Sequence, residues 1–147
     1  MTQEDKQLLL KDISARLPYG VKCIVTKSRT EEGQEGDVGK IGWVCLEGVD
    51  CIGDREPFFS EFGNFKPYLI PLSSLTEGQK NQISQLLLDA KIEYSPYEED
   101  YNNLLASLVK QAYALINYCL ANHLDINGLI EKGIAIEAPK DMYKNQQ

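Results

Sequence analysis

Histidine is nearly absent: there is one in 147 residues, and that scarcity removes most acid–base and metal chemistry before any motif is sought. Tryptophan also occurs once. Positive charge is in deficit, 15 Lys and Arg against 22 Asp and Glu, and the net charge of −7 works against binding phosphate backbones. The basic residues are scattered, so nucleic acid is an unfavourable partner. No run approaches the roughly 20 apolar residues of a membrane span, and the charged start Gln3-Glu4-Asp5-Lys6 is unlike a signal peptide. The expectation is a cytoplasmic chain without membrane association. Cys23, Cys45, Cys51 and Cys119 then stay as thiols. No internal repeat or low-complexity tract interrupts the chain.

The remaining composition, 43% apolar and 25% charged, suits one globular domain over 1–147. Its clearest segment is Ser95 to Asn122. Ser95 is placed to cap, Pro96 stands at the first helical position, and Glu98 fits a capping box. Tyr101, Leu104, Leu105, Leu108, Val109, Ala112, Leu115, Ile116, Cys119 and Leu120 repeat at three and four, so a long helix over 96–122 buries that stripe. Its other face, with Asn103, Ser107, Lys110, Gln111, Ala114, Asn117, Tyr118 and Ala121, carries one charge. That is sparse for a solvated face, and a second subunit or the sheet is expected to cover it.

Ahead of this lie a helix within 1–18, capped by Thr2 and burying Leu9, Ile13 and Leu17, and a strand over Val21 to Lys27 with Val21, Cys23 and Val25 on one face. Ser28 to Lys40 reads as an exposed hairpin loop, and Ile41 to Val49 as a second strand whose Trp43 goes to the core. Asp50 to Asn64 holds one or two short strands. Phe58, Phe59, Phe62 and Phe65 cluster there and fill the sheet's core in preference to stacking bases. Pro67 and Pro71 suit 65–72 to an edge strand or a strand-to-helix crossing. Thr76 and Gln79 form a capping box for a helix to Lys91 that turns Ile83, Leu86, Leu87 and Ala90 inward and packs antiparallel to the long helix. Asp125 caps a short helix ending at Gly133, Ile134 to Ile136 adds a strand, and 139–147 is a tail. The expected fold class is α+β: an N-terminal helix, a small antiparallel sheet or SH3-like half-barrel over 21–72, and a helical part over 76–138 whose two long helices cover the sheet.

Few residues offer chemistry. Cys119 and His123, four apart, would share a helix face if the helix ran on, as nucleophile and base or as half a zinc site. However, five residues separate Cys45 from Cys51, more than common zinc spacings allow, and Cys119 occupies a core position. GQEGDVG lacks the Lys-Ser/Thr of a P-loop. The run Glu93, Glu98, Glu99 and Asp100 lacks the alternating oxygen ligands of a calcium loop and instead complements the positive helix end. No catalytic, cofactor or metal residue is therefore assigned, and no enzyme is expected.

Three blocks in order, EDKQLLLKDISARLPYGVK, KPYLIPLSSLT and NHLDINGLIEKGIAIEAP, cover about a third of the chain. They resemble a family of small proteins of unassigned activity encoded by gut anaerobes and by their phages and integrated elements. The resemblance implies an accessory protein of a mobile element and transfers no functional residues. The function expected is a non-enzymatic protein-binding module, with a homodimer through helix 96–122 as one form. Candidate contact residues are Asn103, Lys110, Asn117 and Tyr118, together with the loop acids Glu31, Glu32 and Glu35. Two other readings are an acidic inhibitor of a nucleic-acid-binding protein, with those acids and Asp37 beside the Glu93 to Asp100 run, and a nucleic-acid binder using Lys22, Lys66 and the phenylalanines.

Overall fold

The computed structural model describes residues 1–27, 34–53, 56–89 and 101–143. Helix α1 spans Gln3–Arg16 and begins in a complete capping box: the Thr2 hydroxyl accepts from the Asp5 N–H at 3.1 Å, and the Asp5 carboxylate accepts from the Thr2 N–H at 3.2 Å. One 3₁₀ turn at Leu17–Tyr19 ends in Gly20 with φ +71°, a left-handed position suited to glycine.

Five strands follow, β1 Lys22–Val25, β2 Val38–Val44, β3 Gly48–Gly53, β4 Pro57–Glu61 and β5 Phe65–Leu69, and every pairing among these five is antiparallel. The expected single strand over 41–49 is thus a hairpin between β2 and β3, with its turn at 45–47. The sheet order is β4-β3-β2-β1-β5-β6, where β6 is the two-residue strand Ile136–Glu137 running parallel to β5. The sheet is therefore mixed rather than purely antiparallel, and β5 lies inside its edge. Its outer edge is covered sparsely, by β6 and by the Ile70 peptide, which exchanges hydrogen bonds with the His123 carbonyl and the Asp125 N–H. Pro67 suits a strand paired this lightly.

Helices α2, Glu77–Asp89, and α3, Tyr101–Ala121, pack on each other. The second capping box is present at α2: Thr76 and Gln79 bond reciprocally at 3.0 and 3.2 Å. Ser95, Pro96, Glu98 and the junction between the helices lie outside the described residues. After α3 the chain makes a series of turns over 126–133 rather than the expected short helix, so the described residues hold three α-helices. Asp125 does cap, but it caps a turn: its carboxylate accepts from the Leu129 and Ile130 N–H groups at 2.8 and 2.9 Å.

The core corrects the expected layering. It joins Leu9 and Ile13 of α1, the inward residues Val21, Cys23, Val25, Ile41, Val49, Cys51, Phe58, Phe65 and Leu69 of the sheet, and Leu129 and Ala135 of the C-terminal turns. The sheet is thus covered by α1 and the C-terminal turns, not by α2 and α3. No described residue of α2 is buried, and among the described side chains of α3 only Cys119 and Leu120 in its last turn are buried. No helix among the described residues is long and apolar enough to cross a membrane.

Candidate functional site

The largest departure from sequence expectation is along α3. Ser107, Gln111, Leu115, Asn117 and Tyr118 are half-buried, and they lie on the face that turns toward the rest of the chain. Leu105, Leu108, Val109, Tyr113 and Ile116, most of them in the stripe assigned to the core, are 46–65% exposed. At about 100° per residue these side chains and exposed Ala112 form one continuous arc with no charge in it. The helix is amphipathic as read, and Leu115, Cys119 and Leu120 of the assigned stripe do turn inward, but Leu105, Leu108, Val109, Ala112 and Ile116 face out. The space over the sheet is already filled by α1, Leu129 and Ala135, so the apolar arc has no partner within the described residues. Leu87 of α2, expected inward, is 50% exposed, and its neighbour Leu88 is 52% exposed.

Among the candidate contact residues, Lys110 is exposed, off the apolar arc, while Asn117 and Tyr118 turn toward the protein. Asn103 belongs to α3, but its side chain lies outside the described residues, as do Glu31, Glu32 and the Glu93 to Asp100 run. Glu35 is exposed in the turn before β2, with Asp37 half-buried beside it. Lys22 and Lys66 share the outer face of adjacent strands, whereas Phe58 and Phe65 are buried on the inner face. The structure does not bring those lysines and those rings together as a base-binding platform.

The helix of Cys119 does not run on to His123. His123 has φ +54° and stands just past the helix end, where its N–H donates to the Leu120 carbonyl at 3.1 Å and the Leu124 N–H donates to the Cys119 carbonyl at 2.9 Å. That is a Schellman closure with histidine in the usual glycine position. The imidazole stacks on Tyr143 with ring centroids 3.7 Å apart. Burial raises the Cys119 thiol above its ordinary range, against a smaller opposing effect from Arg16, so the thiolate a nucleophile needs is disfavoured.

Sequence reasoning missed two buried groups. Arg16 donates to both Asp12 carboxylate oxygens at 2.6 and 3.0 Å and to the Leu124 carbonyl at 2.8 Å, while Asn127 donates to Asp12 at 2.7 Å. This cluster fastens α1 to the segment after α3. Helical spacing of four between Asp12 and Arg16 was its sequence signal, but the burial of both was not visible there. The second group is Cys23 and Cys51, whose sulfurs approach to 3.1 Å across β2. Gly39 on β2 pairs with Cys23, and a Cβ there would sit 3.1 Å from the Cys51 Cβ and 3.0 Å from the Phe58 ring. The hydrogen bond with Cys51, then burial, drives the Cys23 thiol far up, which suits packing and not catalysis. Among the described residues no three His, Cys, Asp or Glu side chains converge as metal ligands would.

No family model matches the chain, and neither the curated proteins nor the solved structures include a significant match to it. The geometry defines an α+β protein with an apolar helix face that has no partner among the described residues.

Proposed function

We propose that this protein is a non-enzymatic protein-binding module that associates with a second copy of itself through α3. The observation carrying this reading is the uncharged arc of Leu105, Leu108, Val109, Ala112, Tyr113 and Ile116, exposed on a helix of 21 residues. An exposed contiguous apolar surface on a folded chain marks an interaction site. The recurrence of Leu105, Leu108, Ala112 and Ile116 approximates the seam by which two helices interlock, and two α2–α3 pairs meeting this way would form a four-helix arrangement. The four free thiols support an intracellular setting, and the three sequence blocks support an accessory role in a mobile element. The order β4-β3-β2-β1-β5 supports reading the sheet as an SH3-like half-barrel.

Molar mass in solution tests the assembly. At micromolar concentration the chain is expected to weigh twice its 16.6 kDa. Val109→Glu, at a position 60% exposed and outside the core, is expected to halve that mass without lowering the folded signal. A wild-type chain that stays strictly monomeric would overturn self-association.

A further inference from the structure

A second surface, on the opposite side of the sheet from the core, has features of its own and owes nothing to α3. The β2–β3 register shifts between Ile41 and Trp43, so Gly42 and Trp43 are both exposed instead of alternating. Trp43, 65% exposed, pairs with exposed Asp50 on β3, and Asp50 pairs in turn with half-buried Phe59 on β4. One row across three strands thus reads aromatic, carboxylate, aromatic. Strand spacing sets the two aromatic Cα atoms about 10 Å apart, with the carboxylate between them.

Gly48 shapes one wall. A Cβ there would lie 2.9 Å from the Phe59 ring tip, so the missing side chain is what lets that ring lie against β3. Ile52 leans over Gly42, 3.5 Å from where a Cβ would be, and is itself 62% exposed. Among the described residues, ion pairs join Arg16 to Asp12 and Lys80 to Glu77, and none engages Asp50. The other charges at this face are Lys40, opposite Ile52 and Lys22, then Lys66 on β5, and Glu61, opposite Gly48.

We infer that this row is a binding site for an arginine side chain of an extended peptide segment in a partner protein. Its guanidinium stacks on Trp43 and Phe59 and donates to the Asp50 carboxylate. The row selects a cation: its one carboxylate has no ion pair among the described residues, the lysines of this face stand on other rows, and the chain carries −7 overall. The ring faces select arginine among cations, because a planar, weakly hydrated guanidinium stacks on aromatics where a compact ammonium does not. Ile52 offers apolar contact to the flanking peptide.

Trp43 is the only tryptophan, so its fluorescence reports this site alone. The probe is an acetylated, amidated five-residue peptide with arginine between alanines; its controls replace arginine with citrulline, the uncharged near-isostere, or with lysine. The arginine peptide is expected to change Trp43 emission saturably, with affinity about tenfold above the citrulline peptide. Asp50→Asn, an exposed and nearly isosteric change, is expected to erase that preference while leaving the melting curve in place. Equal responses to arginine and citrulline, no saturation, or an unchanged preference in Asp50→Asn would each overturn the assignment. A tighter response to lysine would overturn the choice of guanidinium. Saturable quenching by an oligothymidylate but not by the peptide would give the face to nucleic acid. An emission change on dilution without peptide would give it to a second copy.

Discussion

Asp12 and Arg16 carry full charges where neither reaches water: their side chains are both 0% exposed. Desolvating such a pair is costly, and its value lies in each partner's need for the other. Asp12→Ala leaves the guanidinium buried with the Leu124 carbonyl and is expected to cost about 3–5 kcal/mol in urea unfolding. Replacing both residues together by leucine and methionine should recover most of that loss, and a single-variant cost below about 1 kcal/mol would show that water reaches the site. Tyr143 is a second residue whose setting is unusual. Its hydroxyl donates to the Tyr68 carbonyl at 2.9 Å and accepts from the Lys22 N–H at 3.1 Å, bridging β5 and β1. Burial, partly offset by the Lys22 hydrogen bond, raises its pKa from 10.0 to about 12. The neutral phenol is therefore favoured by folding. Its contribution is complete below pH 10 and is lost as pH rises through 12, by about 1.4 kcal/mol per pH unit. Chemical unfolding across that window is expected to show a loss of stability in the wild type that is shallower by this slope in Tyr143→Phe, where Tyr68 and Tyr118, also raised by burial, still contribute. The spacing of four between Asp12 and Arg16 was legible in sequence, but the burial of the pair and the setting of Tyr143 were not. Leu124, whose carbonyl accepts from Arg16, lies 108 positions away, and Lys22 lies 121 from Tyr143.

Among the elements, local signals were the reliable ones. The Thr2 cap, the Thr76–Gln79 capping box, the parity of Val21, Cys23 and Val25, and the end of α3 near Asn122 depend on neighbours within a few residues, and each is found as read. The Ser95–Glu98 box lies outside the described residues. Where the stripe of α3 would be buried could not be read, because periodicity shows that a face is apolar and not what covers it. Trp43 failed for a different reason. A regular strand sends Ile41 and Trp43 to one face, and the bulge at Gly42 breaks that alternation, leaving Ile41 buried and Trp43 outside. The closure of α3 carries a prediction of its own. His123 occupies a left-handed position, which costs any residue with a Cβ, and its stack on Tyr143 offsets that cost. His123→Ala keeps the backbone cost and loses the ring. His123→Gly loses the ring but removes the cost, so thermal melts should place the glycine variant above the alanine variant by about 1 kcal/mol.

At the level of the whole molecule, the C-terminal segment decides the architecture. It threads past β5, donates and accepts at Ile70, adds β6, and brings Leu129 and Ala135 over the sheet. That leaves α2 and α3 with little to cover, and so creates the uncharged surface from which self-association is proposed. The sequence by itself determined the α+β class, the existence of α1, α2 and α3 and the inward parity of the first strand, and it carried no pattern of common cofactor chemistry. These follow from propensity, capping and periodicity, which act within a turn of helix or a pair of strand residues. Only the tertiary structure decided that α3 turns its apolar face to solvent, that Trp43 stands on an open platform beside Asp50 and Phe59, and that Asp12, Arg16, His123 and Tyr143 are gathered under the chain's end. Those outcomes depend on which segments reach the limited core first in space, a competition among distant residues that no local pattern encodes.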